Sequence, residues 1–135
     1  MFKTVLFPID QTRESRQAAE VVANVVKTYS SRLIILSVVE IPEEGESTNP
    51  DMTSAAAIAK LLEDAKTLFQ SEGINSETIE RQGKPAFTIC DVADEIEADL
   101  IIMGCRGIGL TEEGVTDSVS NRVINLSPCP VLVVP

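Results

Sequence analysis

A chain of 135 residues with 44% hydrophobic and 24% charged side chains has the size and make-up of one globular domain with a proper core, which argues against disorder and against a membrane protein. Its net charge of −10 repels nucleic acid phosphates and anionic membranes, so neither is expected as a partner. The absence of histidine removes His-based acid–base and triad chemistry, and the odd set Cys90, Cys105 and Cys129 has no paired spacing that would suggest a zinc site or a disulfide framework.

Met1 to Thr4 leads directly into a strand-like run with no cleavage site of a signal peptide, so a cytoplasmic protein is expected. The first strand is predicted over Phe2–Ile9. A helix follows over Arg13–Thr28, where Ala18, Val22, Val25 and Val26 recur at helical spacing and Thr12 can cap the start. Arg32–Val39 reads as a second strand whose continuous Leu33–Leu36 run suits burial on both faces. Glu40–Thr53, with Pro42, Gly45 and Pro50, is long for a connection and is expected to be a lid or a mobile segment. Ser54–Glu72 carries the apolar stripe Ile58, Leu61, Leu62, Ala65, Leu68 and Phe69 and is predicted as a helix ended by Gly73.

Asn75–Gln82 is a polar strand anchored by Ile79, as befits a sheet edge. Pro85 opens a helix with Ala86, Ile89, Ala93 and Ile96 on one face. Asp99–Met103 is a buried strand ending at Gly104. A loop over 105–116 leads to a short helix that runs to Leu126, and Val131–Val134 is the fifth strand. The alternation β-α-β-α-β-α-β-α-β predicts one doubly wound domain over residues 1–135, a parallel five-stranded sheet with helices on both faces and right-handed crossovers.

Ligands of such sheets bind where strand order reverses, beyond the carboxyl ends of the strands. A dinucleotide site needs G-x-G-x-x-G after the first strand, where this chain has Asp10-Gln11-Thr12-Arg13. A phospho-receiver needs an acceptor Asp after the third strand, where Gln82-Gly83 stands. Both readings fail. Pro8-Ile9-Asp10, Met103-Gly104-Cys105-Arg106-Gly107, Ser118 to Val123 and Pro128 to Val134 closely resemble the universal stress protein family, over essentially the whole chain.

That resemblance implies strand order 3-2-1-4-5, of the adenine nucleotide alpha hydrolase-like kind, with Asp10 and Gly104 side by side at the switch point. It also implies a nucleotide cleft lined by Pro8, Asp10, Val38, Gly104, Arg106, Gly107, Ser118 and Val119, with Asp10 near ribose and Val38 against adenine. The family motif G-x2-G-x9-G-S/T is a phosphate cradle, in which glycines admit the ligand to the backbone and a helix start supplies N–H groups. Gly104 and Gly107 match it. Nine residues further on stands Asp117 instead of the third glycine, followed on schedule by Ser118.

A side chain there fills space that a phosphate needs, and its charge opposes an anion. Two unit charges about 4 Å apart repel by roughly 4 kcal/mol at an effective dielectric near 20. Even half of that weakens binding more than tenfold. Asp117 also suits a helix N-cap, so its carboxylate can stand in for the phosphate. Asp10 serves equally well as a strand-end turn or cap residue; Gly104 and Gly107 can also simply turn the chain, although the family match favours a site there, and Glu112-Glu113 reads as an ordinary solvated pair. Cys105 reads as a bystander thiol beside the cleft, and Cys90 and Cys129 as core fillers.

These features predict a non-catalytic stress-response or signalling module with weak or lost ATP binding. It would have no catalytic residue, no metal and no required cofactor, with AMP or ATP bound weakly if at all. The alternative is a nucleotide-dependent sensor that accepts AMP, ADP or ATP; slow ATP hydrolysis, a property of some relatives, ranks third because no base, lysine or metal pair stands near the loop. The resemblance also implies a homodimer through the last strand, in which the edge at Val131 and Val133 meets its two-fold copy. The protein partners it would serve are not legible.

Overall fold

The computed structural model describes residues 2–9, 13–39, 55–104 and 119–135. Along the chain run β1 (Thr4–Pro8), α1 (Arg13–Tyr29), β2 (Arg32–Val39), α2 (Ala55–Ser71), β3 (Ser76–Gln82), α3 (Pro85–Glu95), β4 (Leu100–Gly104), α4 (Val119–Leu126) and β5 (Val131–Val134). All ladders are parallel and the order is β3-β2-β1-β4-β5, as expected. Parallel neighbours force each connection across a face of the sheet, and the helices provide those crossings.

Side chains alternate across the strands and divide the core into two layers. Val5 and Phe7 of β1 and Ile9 just beyond it, with Leu33 and Ile35, pack under α1 and α2 against Val22, Val26, Leu62 and Phe69. Leu6, Ile34, Leu36, Ile101 and Met103 pack under α3 and α4 against Ile89, Val92 and Val123. β2 is buried on both faces, as its unbroken apolar run requires. β3 is the polar edge, largely exposed apart from the half-buried Ser76 and Ile79. There Arg32 forms a fork with both carboxylate oxygens of Glu77, and Arg81 reaches Glu95 at 3.0 Å. Charges on an edge discourage other chains from pairing with it.

Three expectations need adjustment. Phe2 does not enter β1, because its backbone turns to φ 52° while its ring meets Tyr29 edge-on at 5.2 Å. Leu68 lies off the buried stripe of α2 and is half exposed, whereas Phe69 is buried and stands edge-on to Phe7 at 6.0 Å. Cys90 and Cys129 are half-buried residues packed against the α3–α4 layer and do not lie in its interior. The connection over 40–53 and the capping residue Thr12 lie outside the described residues.

α2 ends in a Schellman motif: Ile74 N–H donates to the Phe69 carbonyl and Gly73 N–H to that of Gln70, both at 3.0 Å, with Gly73 at φ 78°. The hydrophobic closure of that motif is Ile74 against the same core layer as Phe69. α3 ends in the same way on a non-glycine residue. Ala98 N–H donates to the Ala93 carbonyl and Glu97 N–H to that of Asp94, with Glu97 at φ 55°. α1 repeats the outer bond, from Ser31 N–H to the Val26 carbonyl, with Ser30 at φ 52°.

Candidate functional site

β1 and β4 are clamped at their amino ends. Thr4 N–H donates to Asp99 Oδ2 at 2.9 Å, and Asp99 N–H returns a bond to the Thr4 carbonyl at 2.8 Å. Their ladder then holds just two register pairs, Val5 with Leu100 and Leu6 with Ile101, although β1 continues to Pro8 and β4 to Gly104. Pro8 has no N–H with which to extend it. On the other side β1 stays paired with β2 as far as Pro8 and Leu36, and Ile9 N–H still reaches the Leu36 carbonyl at 2.8 Å. The β1–β4 ladder therefore stops short of the carboxyl ends of the two strands, and the seam between those ends carries no register pair. That seam is the switch point, since the chain crosses to β2 on one side of β1 and to β4 on the other.

Four of the eight expected site residues are described: Pro8 and Gly104 end the two strands of this seam, and Val38 and Val119 lie on β2 and α4. Pro8 is buried at the end of β1, so it forms wall and offers little surface. Gly104 is half-buried at the end of β4, opposite Val134. Val38 of β2 and Val119 at the start of α4 are both half-buried against the α3–α4 layer, which puts them on one face of the sheet. Asp10, Arg106, Gly107 and Ser118 lie outside the described residues, together with Cys105, Glu112, Glu113 and Asp117. The described part of the site is thus its apolar and backbone frame.

Gly83 belongs to that frame and was missed as a site-supporting residue. Its N–H donates to the Val39 carbonyl at 2.9 Å, closing the end of β2 beside Val38. Its φ of 147° suits glycine, and a Cβ there would stand 2.6 Å from Thr88 Oγ1 of α3. The sequence did carry a signal, since a glycine two residues before a proline at a helix start marks a sharp entry.

The titrations resolved among described residues lie elsewhere. Burial pushes the Cys90 thiol up, with help from the charges of Asp91 and Cys129. Burial also raises the Cys129 thiol, against the lowering effect of its Ser127 hydrogen bond. Neither has the depressed value of a reactive thiol. The ion pair on the β2–β3 edge holds Glu77 below and Arg32 above their ordinary values, chiefly through their mutual hydrogen bond. Among the described residues no three His, Cys, Asp or Glu side chains come together as a metal site, and no helix is long and apolar enough to cross a membrane.

This geometry has close counterparts. The model of the universal stress protein family matches residues 1–135. Universal stress protein Sll1654 of Synechocystis sp. is 61% identical over 136 residues, covering 100% of this chain and 87% of its own. Universal stress protein YxiE of Bacillus subtilis is 31% identical, covering 99% of each chain. Among solved structures, a universal stress protein in complex with cAMP superposes with a TM-score of 0.81 at 25% identity, over 99% of this chain and 97% of that one.

Proposed function

We propose that this chain, which belongs to the universal stress protein family, is a non-catalytic cytoplasmic signalling module that senses an adenine mononucleotide and binds ATP weakly. The observation that carries this reading is the switch point between β1 and β4, whose ladder stops before the strands' carboxyl ends, with Gly104 at the end of β4. Backbone near a glycine admits a phosphate where a side chain would block it. The apolar pair Val38 and Val119 borders the same end of the sheet and suits the face of a purine. The structural neighbour that holds cAMP, an adenine nucleotide with one phosphate, supports the same ligand class here.

Selectivity for few phosphates comes from the signature loop. Asp117 occupies the position of the third motif glycine, and Glu112 and Glu113 add charge to the same segment, against Arg106. Each further phosphate on the ligand adds repulsion, so AMP or cAMP is favoured over ATP. Complete loss of nucleotide binding is the second reading, favoured by the ability of an Asp117 carboxylate to occupy the phosphate's place at a helix start. Native mass spectrometry of freshly purified protein tests these readings. Retained AMP or cAMP is the expected result. A protein that carries no nucleotide and gains none on incubation favours the second reading, and ATP retained and hydrolysed with time defeats both.

The same module is proposed to be a homodimer through β5, with unknown protein partners as its output. β5 is an edge strand, and residues 126–135 carry no charged side chain in a molecule of net charge −10. A second copy that approaches there brings no like charges together.

A further inference from the structure

We propose that Cys90 and Cys129 are a redox pair, which hydrogen peroxide joins into a disulfide that ties α3 to the link between α4 and β5. The inference is independent of the nucleotide and dimer readings above.

The two thiols come from elements far apart in the chain and meet at one junction. α3 lies beside α4 on one face of the sheet, and its two flanks look in opposite directions. One flank is turned to the β3 edge: Arg81 of β3 reaches Glu95 at 3.0 Å, and Gly83, just beyond that strand, stands close to Thr88. At 100° per residue, Cys90 stands about 160° around the helix axis from Thr88 and about 140° from Glu95. It therefore belongs to the opposite flank, toward α4 and β5, since β3 and β5 are the two ends of the sheet. Cys129 is on that side. It sits between α4 and β5 and packs against the same layer as Cys90, with Val131 and Val133 following it there. The charge of Cys129 is felt at Cys90, whose thiol it helps to raise.

Both partners are held before they react. Cys90 is fixed by its helix, and Pro128 and Pro130 restrict the backbone on either side of Cys129. Cys129 N–H donates to Ser127 Oγ at 3.2 Å, and that hydroxyl donates to the Cys129 carbonyl at 2.7 Å. Each cysteine is half-buried, which leaves it partly open to solvent.

Ser127 Oγ, 3.7 Å from the Cys129 sulfur, lowers that thiol against the effect of burial, so Cys129 reacts first. Its thiolate attacks one oxygen of the peroxide, the O–O bond breaks, and a sulfenic acid and hydroxide result. The Cys90 thiolate then attacks the sulfenic sulfur, the S–S bond forms and a second hydroxide leaves. Both hydroxides take up the thiol protons, so two thiols and one peroxide give one disulfide and two waters. Burial, with Asp91 beside Cys90 and Asp99 near Cys129, keeps both thiols largely protonated at neutral pH. The pair therefore answers a sustained dose of peroxide and not a brief one.

Peptide mapping of the folded wild-type chain after prolonged peroxide treatment tests this. Cleavage after glutamate puts the three cysteines in separate peptides, because Glu95 and Glu97 lie between Cys90 and Cys105, and Glu112 and Glu113 between Cys105 and Cys129. The expected result is a link between the Cys90 and Cys129 peptides within one chain. The calorimetric midpoint should rise by about 5–10 °C and return to its starting value with dithiothreitol. Cys90→Ser and Cys129→Ser should each abolish the link and the rise. Cys90 and Cys129 recovered as free thiols or sulfinic acids, or joined only to Cys105 or to another chain, overturn the pair. A Cys90–Cys129 link that leaves the midpoint unchanged or lowers it also overturns it, since such a bond does not fit the folded arrangement.

Discussion

At Ser30 and Glu97 an L-residue sits in the left-handed region at a helix end, at φ 52° and 55°. That conformation costs about 1–2 kcal/mol for a residue with a Cβ. Glycine removes the strain but loses about 0.5–1 kcal/mol of backbone entropy on folding. Ser30→Gly and Glu97→Gly should therefore each stabilise the fold by about 0.5–1 kcal/mol, seen as a rise of about 2–4 °C in calorimetric midpoint. Gly73→Ala, at φ 78° in open space, should lose a similar amount. A second residue-level effect concerns the thiols. Cys90 and Cys129 have folded values raised by burial, so unfolded thiols lose their protons first as pH rises. Their contribution is fully present below the unfolded value near 8.5 and is lost as pH climbs through the raised folded values. Urea midpoints of the wild type should fall more steeply above about pH 8.5 than those of a Cys90→Ala, Cys129→Ala double variant.

At the scale of elements, Phe69 joins α2 to the sheet in two ways: its ring packs edge-on against Phe7, and its carbonyl receives the closing bond of the helix end. Phe69→Ala should cost about 3–5 kcal/mol in denaturant unfolding, whereas Leu68→Ala, one residue away and half exposed, should cost under about 1 kcal/mol. Sequence periodicity put both leucine and phenylalanine on the apolar stripe, because a stripe read at 100° per residue does not state where the sheet beneath it ends. The strands were more legible. Unbroken Leu33–Leu36 announced a strand buried on both faces, and polar Ser76–Gln82 announced an edge. The left-handed ends at Ser30 and Glu97 had no signature, since no glycine marks them. The short β1–β4 ladder was hidden for a different reason. Pro8 carries the cause, a missing N–H, but which strand lies on that side of β1 is set by the topology, which no local pattern records.

For the whole molecule, the topology and the family followed from alternating elements and from motifs that end the strands. The described members of the expected site stand where the strands were read to end: Pro8 and Gly104 close β1 and β4, Val38 lies near the end of β2 and Val119 begins α4. Gly83 was overlooked because its contribution is a backbone bond to Val39 and the room it leaves for Thr88, neither of which is a binding motif. Ligand choice turns on charge. On the proposed reading, a chain of net charge −10 with Asp117 at the position of the third motif glycine should discriminate by phosphate number. Calorimetric titration of the wild type and Asp117→Gly with adenosine, AMP and ATP at fixed salt tests this most directly. The account predicts that wild type binds AMP more tightly than ATP, and that the variant gains more than tenfold for ATP and little for adenosine. Wild-type protein that binds ATP as tightly as AMP, or a variant with unchanged ATP affinity, would contradict it.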